Sequence, residues 1–132
     1  MRDIVLVVDD EPLVRMLAVE VAEEAGFEVL EASNADEAVI LLETVPGIRI
    51  LMTDVDMPGS MDGLKLAAAV RDRWPPVEII VVSGMQRPRI HELPERAIFF
   101  DKPYDIGKML MQLQKMGAVA REAPISLPWP PS

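Results

Sequence analysis

This sequence predicts an α/β fold, a doubly wound parallel sheet with helices on both faces, and three observations carry that reading. Ile4-Val-Leu-Val-Val8 is a continuous, largely β-branched run, the signature of a strand buried on both faces. Further apolar runs of this kind alternate along the chain with segments whose apolar residues recur at helical spacing. The strand-like runs end on polar groups, at Asp9-Asp10, Asp54, Ser83 and Lys102. Parallel neighbours need crossover connections, which the helices supply, and ligands of such sheets gather at the carboxyl ends of the strands.

The elements follow in order. After the first strand, Leu13, Leu17, Val21 and Ala25 recur every fourth residue from Pro12 onward. Asp10 and Glu11 favour a helix N-terminus there, and Gly26 stops the helix. Phe27 to Ala32 is the second strand. Asn34-Ala-Asp-Glu37 resembles a capping box ahead of Ala38, Ile40, Leu41 and Leu42, which predicts the second helix. Ile48 to Thr53 is the third strand, a polar loop runs from Asp54 to Asp62, and Leu64 to Arg73 is a third helix ended by Pro75-Pro76. Val77 to Val82 is the fourth strand and Ala97 to Phe100 the fifth. Between them Pro88 and Pro94 bracket Arg89 to Leu93, which leaves room for about one helical turn at 3.6 residues per turn. Ile106, Met109, Leu110 and Leu113 mark one face of the last helix. The end of the chain, "APISLPWPPS" from Ala123 to Ser132, holds four prolines and is not expected to continue that helix. The division expected is one domain over 1–116 and a flexible, Pro-rich tail over 117–132.

Composition narrows the function classes. The chain has 132 residues and is 50% hydrophobic, enough for a real core in one domain. Its net charge of -9 disfavours nonspecific attraction to nucleic acid or to an anionic membrane, and points to a protein partner or a cation. There is no cysteine, so neither a disulfide framework nor a thiolate metal site exists. No run reaches transmembrane length and the start is too short for a signal peptide, so a cytoplasmic location is expected.

Acids after strands are ordinary loop residues and helix caps, Ser83 before Gly84 is an ordinary turn, and most lysines are solvated surface. Coincidence shifts the balance, since all of these residues fall on one edge of the expected sheet. Crowded carboxylates repel and raise one another's pKa unless a divalent cation neutralises them. All-oxygen ligands point to magnesium, which keeps several waters and takes two carboxylates, a backbone carbonyl and a phosphoryl oxygen readily. A carboxylate beside such an ion and a lysine can act as a nucleophile and form an aspartyl phosphate, a reaction that asks chiefly for positioning and charge neutralisation.

With "VLVVDDEP", "LMTDVDMPGSMDG", "VVSG" and "FFDKPY" in this order, residues 3 to 116 resemble a response-regulator receiver domain of two-component signalling. The resemblance implies a flavodoxin-like sheet of order 2-1-3-4-5. It implies Asp54 as phosphoacceptor, Asp10 as a direct ligand of magnesium (or manganese), Asp9 as a ligand through water, and Asp56 as a ligand through its backbone carbonyl. Ser83 and Lys102 would bind the phosphoryl group, the lysine aimed by a cis bond to Pro103. Ser83 and Phe99 would form the switch. The side chains two positions beyond Asp54 and Ser83, namely Asp56 and Met85, would flank the hydrolytic water. The implied partners are a sensor histidine kinase or histidine phosphotransfer protein and a downstream protein, with a mainly monomeric state before phosphorylation. Such a domain catalyses only its own phosphorylation and dephosphorylation.

The loop "DMPGSMDG" carries one residue more than the commonest receiver pattern and resembles receivers attached to hybrid sensor kinases. Phe99 stands where Tyr is frequent and has no hydroxyl to donate. Two other classes compete. Asp54-Val-Asp56 superficially matches the Asp-x-Asp of haloacid-dehalogenase-type phosphatases, but there the motif follows the first strand. A phosphorylation-independent interaction module would have lost its acids and lysine, and here all are present. The single histidine, His91, is given no role. The nine methionines, Met16 and Met109 among them, are expected to fill the core.

Overall fold

The computed structural model describes residues 3–57, 59, 61–84, 88 and 90–126. Five strands, β1 (Ile4–Val8), β2 (Glu28–Ala32), β3 (Ile48–Asp54), β4 (Glu78–Ser83) and β5 (Ala97–Asp101), form one parallel sheet. Their order is β2-β1-β3-β4-β5, the flavodoxin-like arrangement expected. Among the described residues four α-helices separate or follow them, α1 (Pro12–Glu24), α2 (Ala35–Thr44), α3 (Gly63–Arg73) and α4 (Ile106–Ser126). Alternate strand residues point to opposite faces and so build two cores. Leu6, Leu51 and Ile79 pack with Ala38 of α2 and Leu66 of α3 on one face. Val5, Ile50 and Ile80 pack with Val21 of α1 and Leu113 of α4 on the other. Each fully buried aliphatic side chain of this kind contributes about 1.5–3 kcal/mol.

Several sequence expectations need correction. In α1 the buried face is Ala18, Val21 and Ala22, while Leu13 and Leu17 are 79% and 40% exposed. Four-residue steps overshoot a turn by about 40°, so a strict series of fours walks off the face it starts on. Met16, Ile40 and Ile106 are likewise exposed, whereas Met109 is fully buried. The capping box is shifted: Asn34 accepts from the Glu37 amide, but Glu37 bonds the Ser33 amide and hydroxyl rather than returning to Asn34. The last helix does not stop before Ala123 but runs to Ser126. Pro124 stands in its final turn and has no amide to donate to the carbonyl four residues earlier. Residues 127–132 lie outside the described part. Between β4 and β5 the described residues contain one 3₁₀ turn, Ile90–Glu92, in keeping with the bracketing prolines.

Candidate functional site

Every buried polar or charged side chain among the described residues lies at the carboxyl ends of the strands: Asp9, Thr53, Asp54 and Ser83. Asp9 follows β1. One of its carboxylate oxygens accepts from the Glu11 amide at 2.9 Å, closing a local turn just before α1, and the other accepts from Lys102 Nζ at 3.1 Å. Arg15, one turn into α1, donates to the Asp9 carbonyl at 2.8 Å and ties the strand end to the helix.

Asp54 closes β3, only 4% exposed. The chain beyond it is fixed by the Val55 amide on the Val82 carbonyl (2.9 Å) and the Gly63 amide on the Val55 carbonyl (3.0 Å). Gly63 is compulsory here, because a Cβ would fall 1.8 Å from the Asp54 carbonyl oxygen. That close approach folds the polar loop back over the end of the sheet. Lys102 reaches across from β5, after a backbone bond from its amide to the Ser83 carbonyl (3.0 Å), and precedes a cis peptide bond to Pro103. Its Nζ stands 3.2 Å from Asp54 Oδ1, an oxygen shut off from solvent that receives no well-aligned hydrogen bond. Ser83, 2% exposed at the end of β4, donates its hydroxyl to Asp56 Oδ2 at 3.1 Å.

The electrostatics follow from this crowding. Burial pushes the Asp54 carboxyl up to about 6, Lys102 pulls it down, and the neighbouring Asp9 and Asp56 raise it further. Burial lowers the Lys102 ammonium, but attraction to Asp9 and then Asp54 outweighs it and leaves its pKa raised. One carboxylate oxygen from each of Asp9, Asp10 and Asp54 lies within 4.8 Å of the others. Three acids so close, with one lysine among them, fit a divalent cation with oxygen ligands. The mouth is an open pocket of about 370 Å³ lined by Asp10, Glu11, Asp54, Asp56, Gly84 and Lys102.

The structure thus brings together Asp9, Asp10, Asp54, Asp56, Ser83 and Lys102, six of the residues the sequence singled out. Phe99 sits apart: it is half-buried on β5 opposite Val81 and packs on the α2–α3 face of the sheet. Met85 falls outside the described residues. Sequence reasoning missed Gly63, whose need shows only in three dimensions, and Tyr104, which lines the buried side of the cluster with a hydroxyl that lacks a hydrogen-bond partner.

Comparison with known proteins agrees with this geometry. The family model described as response regulator receiver domain matches residues 5–114, and the chain belongs to that family. It is 34% identical over 116 residues to the sensor kinase CckA of Brucella abortus, covering 85% of this chain and 12% of that kinase. It is 29% identical over 119 residues to the response regulator receiver protein CpdR of the same species, covering 88% of this chain and 97% of CpdR. Against several curated relatives the chain spans only a part, 12%, 25% and 52% of the lengths of CckA, a Rickettsia bellii NtrX-like regulator and a Pseudomonas aeruginosa alginate regulator. Among solved structures, the receiver domain of the hybrid histidine kinase CckA superposes with a TM-score of 0.70 at 31% identity, covering 86% of this chain and 97% of that one. A Pseudomonas putida response regulator receiver protein gives 0.75 at 31% identity, with 87% and 98% covered. The chain is therefore a receiver domain of two-component signalling with bacterial homologues, a signal domain of a generally non-enzymatic family that binds a divalent metal at an acidic cluster. No described helix is long and apolar enough to cross a membrane.

Proposed function

We propose that this domain is the phosphoacceptor of a two-component phosphorelay, with Asp54 receiving the phosphoryl group from a phosphohistidine. The observation that carries it is the Asp54 carboxylate, buried at a strand end, 3.2 Å from Lys102 and clustered with Asp9 and Asp10. In the transfer an Asp54 carboxylate oxygen forms the new bond to phosphorus as the phosphorus–nitrogen bond of the donor breaks, and the imidazole leaves. Asp54 is mostly ionised at neutral pH even with its raised pKa, so the nucleophile is available. Asp9, Asp10, Asp54 and the Asp56 backbone carbonyl would hold magnesium, or manganese, which would supply positive charge against the phosphoryl oxygens. Lys102 is placed to pair with the phosphoryl group, and Ser83 to donate to it, once it stands on Asp54. Ser83 and Phe99 then act as the switch that a downstream protein reads.

The donor is a sensor histidine kinase or a histidine phosphotransfer protein. Beside Lys102, an apolar groove of about 500 Å³ lined by Leu13, Leu17, Pro103, Tyr104 and Ile106 supports docking of such a partner next to the acid cluster. The acidic charge supports neither nucleic acid nor membrane as a partner, and a cytoplasmic, mainly monomeric receiver over 1–116 with a Pro-rich tail over 117–132 completes the reading. Its only catalysis is its own phosphorylation and dephosphorylation. Incubation with acetyl phosphate and magnesium should add one phosphoryl group, seen by intact mass, and Asp54→Ala should abolish it. Equal labelling of Asp54→Ala would overturn the assignment.

A further inference from the structure

We propose that Asp56 is a latch on the switch serine: its carboxylate holds the Ser83 hydroxyl in the unphosphorylated domain and competes with a phosphoryl group on Asp54 for it. The inference rests on the phosphoacceptor reading for its consequence, while the latch itself rests on the geometry. A serine hydroxyl carries one proton and can donate to one acceptor at a time. Here Ser83 Oγ directs it to Asp56 Oδ2, at 3.1 Å, across the gap between the loop after β3 and the end of β4. Ser83 is 2% exposed, so its hydroxyl is held by protein groups rather than by bulk water. The residue before Asp56 is pinned twice, its amide on the Val82 carbonyl and its carbonyl under the Gly63 amide, so the start of the loop that carries the carboxylate is fixed to β4. The pocket beside the phosphoacceptor is lined by Asp54, Asp56 and by Gly84, the residue that follows Ser83, so the latch stands at the edge of the site it would regulate. Switching is then an exchange of acceptors, in which Ser83 leaves Asp56 as it turns to the phosphoryl group. Asp56 is a positioning residue that favours the unphosphorylated arrangement.

Asp56 is also an anion beside an anion site, and plain repulsion gives the same sign. The test therefore separates charge from hydrogen bonding. Beryllofluoride affinity is measured by NMR titration at saturating magnesium for the parent, Asp56→Ala and Asp56→Asn, and for each in a Ser83→Ala background. The latch predicts that Asp56→Ala tightens binding about fivefold, the scale of one net hydrogen bond. Asp56→Asn keeps an acceptor and should recover most of the parent value, and Asp56→Ala should change nothing once Ser83 is Ala. An Asp56→Asn effect equal to that of Asp56→Ala, an effect that survives in Ser83→Ala, or no effect of Asp56→Ala at all would overturn it. Should the parent bind no beryllofluoride, the phosphoacceptor reading fails. The latch is then decided by the Ser83 side-chain rotamer without ligand, from three-bond couplings. A rotamer released in Asp56→Ala and kept in Asp56→Asn supports the latch, and one unchanged in both refutes it.

Discussion

The two ends of this sheet treat charge in opposite ways. At the amino end of β4, Arg71 donates to the carbonyls of Glu95 (2.8 Å), Pro75 (2.7 Å) and Val77 (2.9 Å). Nearby, Arg96, with φ of 65°, pairs with Glu78 and also donates to the Pro75 carbonyl. There the cations close backbone turns that would otherwise leave orphaned acceptors. At the carboxyl ends, Asp9, Asp10 and Asp54 crowd together, with Lys102 paired to Asp9 and Asp54 and the buried Asp54 oxygen receiving no well-aligned hydrogen bond. The first arrangement satisfies most of its groups within the protein, one buried Arg71 guanidinium nitrogen excepted. The second is held in a state of excess negative charge that a cation and a phosphoryl group can relieve, which is why the chemistry belongs to that end.

If the contrast is real, removing the structural cation costs stability and removing the crowded acid gains it. Arg71→Ala deprives three carbonyls of their donor and should destabilise the domain by about 3 kcal/mol, read from urea unfolding midpoints. Arg71→Lys should recover only part, since an ammonium lacks the planar fork that spans separate carbonyls. A loss below about 0.5 kcal/mol for Arg71→Ala would mean that water replaces the guanidinium and that the amino end is no more closed than the other.

Asp54→Asn should do the reverse. The carboxyl has a pKa of about 6 folded against 3.8 as a model value, so the folded state holds the proton more tightly. Unfolding then releases a proton between pH 4 and 6, and stability falls as pH rises through that window. Above it the ionised acid lowers stability by roughly 2–3 kcal/mol. At pH 7, without divalent cations, Asp54→Asn should therefore exceed the parent by roughly 2 kcal/mol, with the gain shrinking toward pH 4. Magnesium at pH 7 should raise the parent's unfolding midpoint and leave that of Asp54→Asn nearly unchanged. A gain independent of pH would show that crowding of charge is not its cause.

The contrast between the ends was half legible in the sequence. β1 and, after Glu78, β4 announce themselves because strands buried on both faces are apolar through their interior, and Asp9 after β1 and Ser83 at the end of β4 then stand out against the run. The acidic cluster could be assembled from strand ends alone, since a parallel sheet brings all of its carboxyl ends to one rim. Arg71 could not, because its partners are backbone carbonyls around a turn and no side-chain pattern encodes them. The bond from Ser83 to Asp56 was hidden for a related reason, as it depends on how the loop folds back on Gly63. In α1, a periodicity of four pointed Leu13 and Leu17 inward, whereas the helix turns them to solvent.

That misread face gives the prediction with the smallest effect on stability. Leu13 is 79% exposed, and with Leu17, Pro103 and Ile106 it lines the groove beside Lys102. An apolar side chain that folding leaves in water contributes little to the core, so Leu13→Ser should alter stability by no more than about 0.5 kcal/mol. Phosphorylation by acetyl phosphate, which needs only the acid cluster, should proceed at the parent rate. Transfer from a phosphorylated histidine phosphotransfer protein should weaken about tenfold in apparent affinity, because burial of a leucine at an interface is worth more than 1 kcal/mol. The measurement is the rate of phosphotransfer against donor concentration for Leu13→Ser and the parent. A large stability loss would put Leu13 in the core after all. Unchanged transfer from every donor tried would mean that the groove takes no part in docking and that the acids alone recruit the partner.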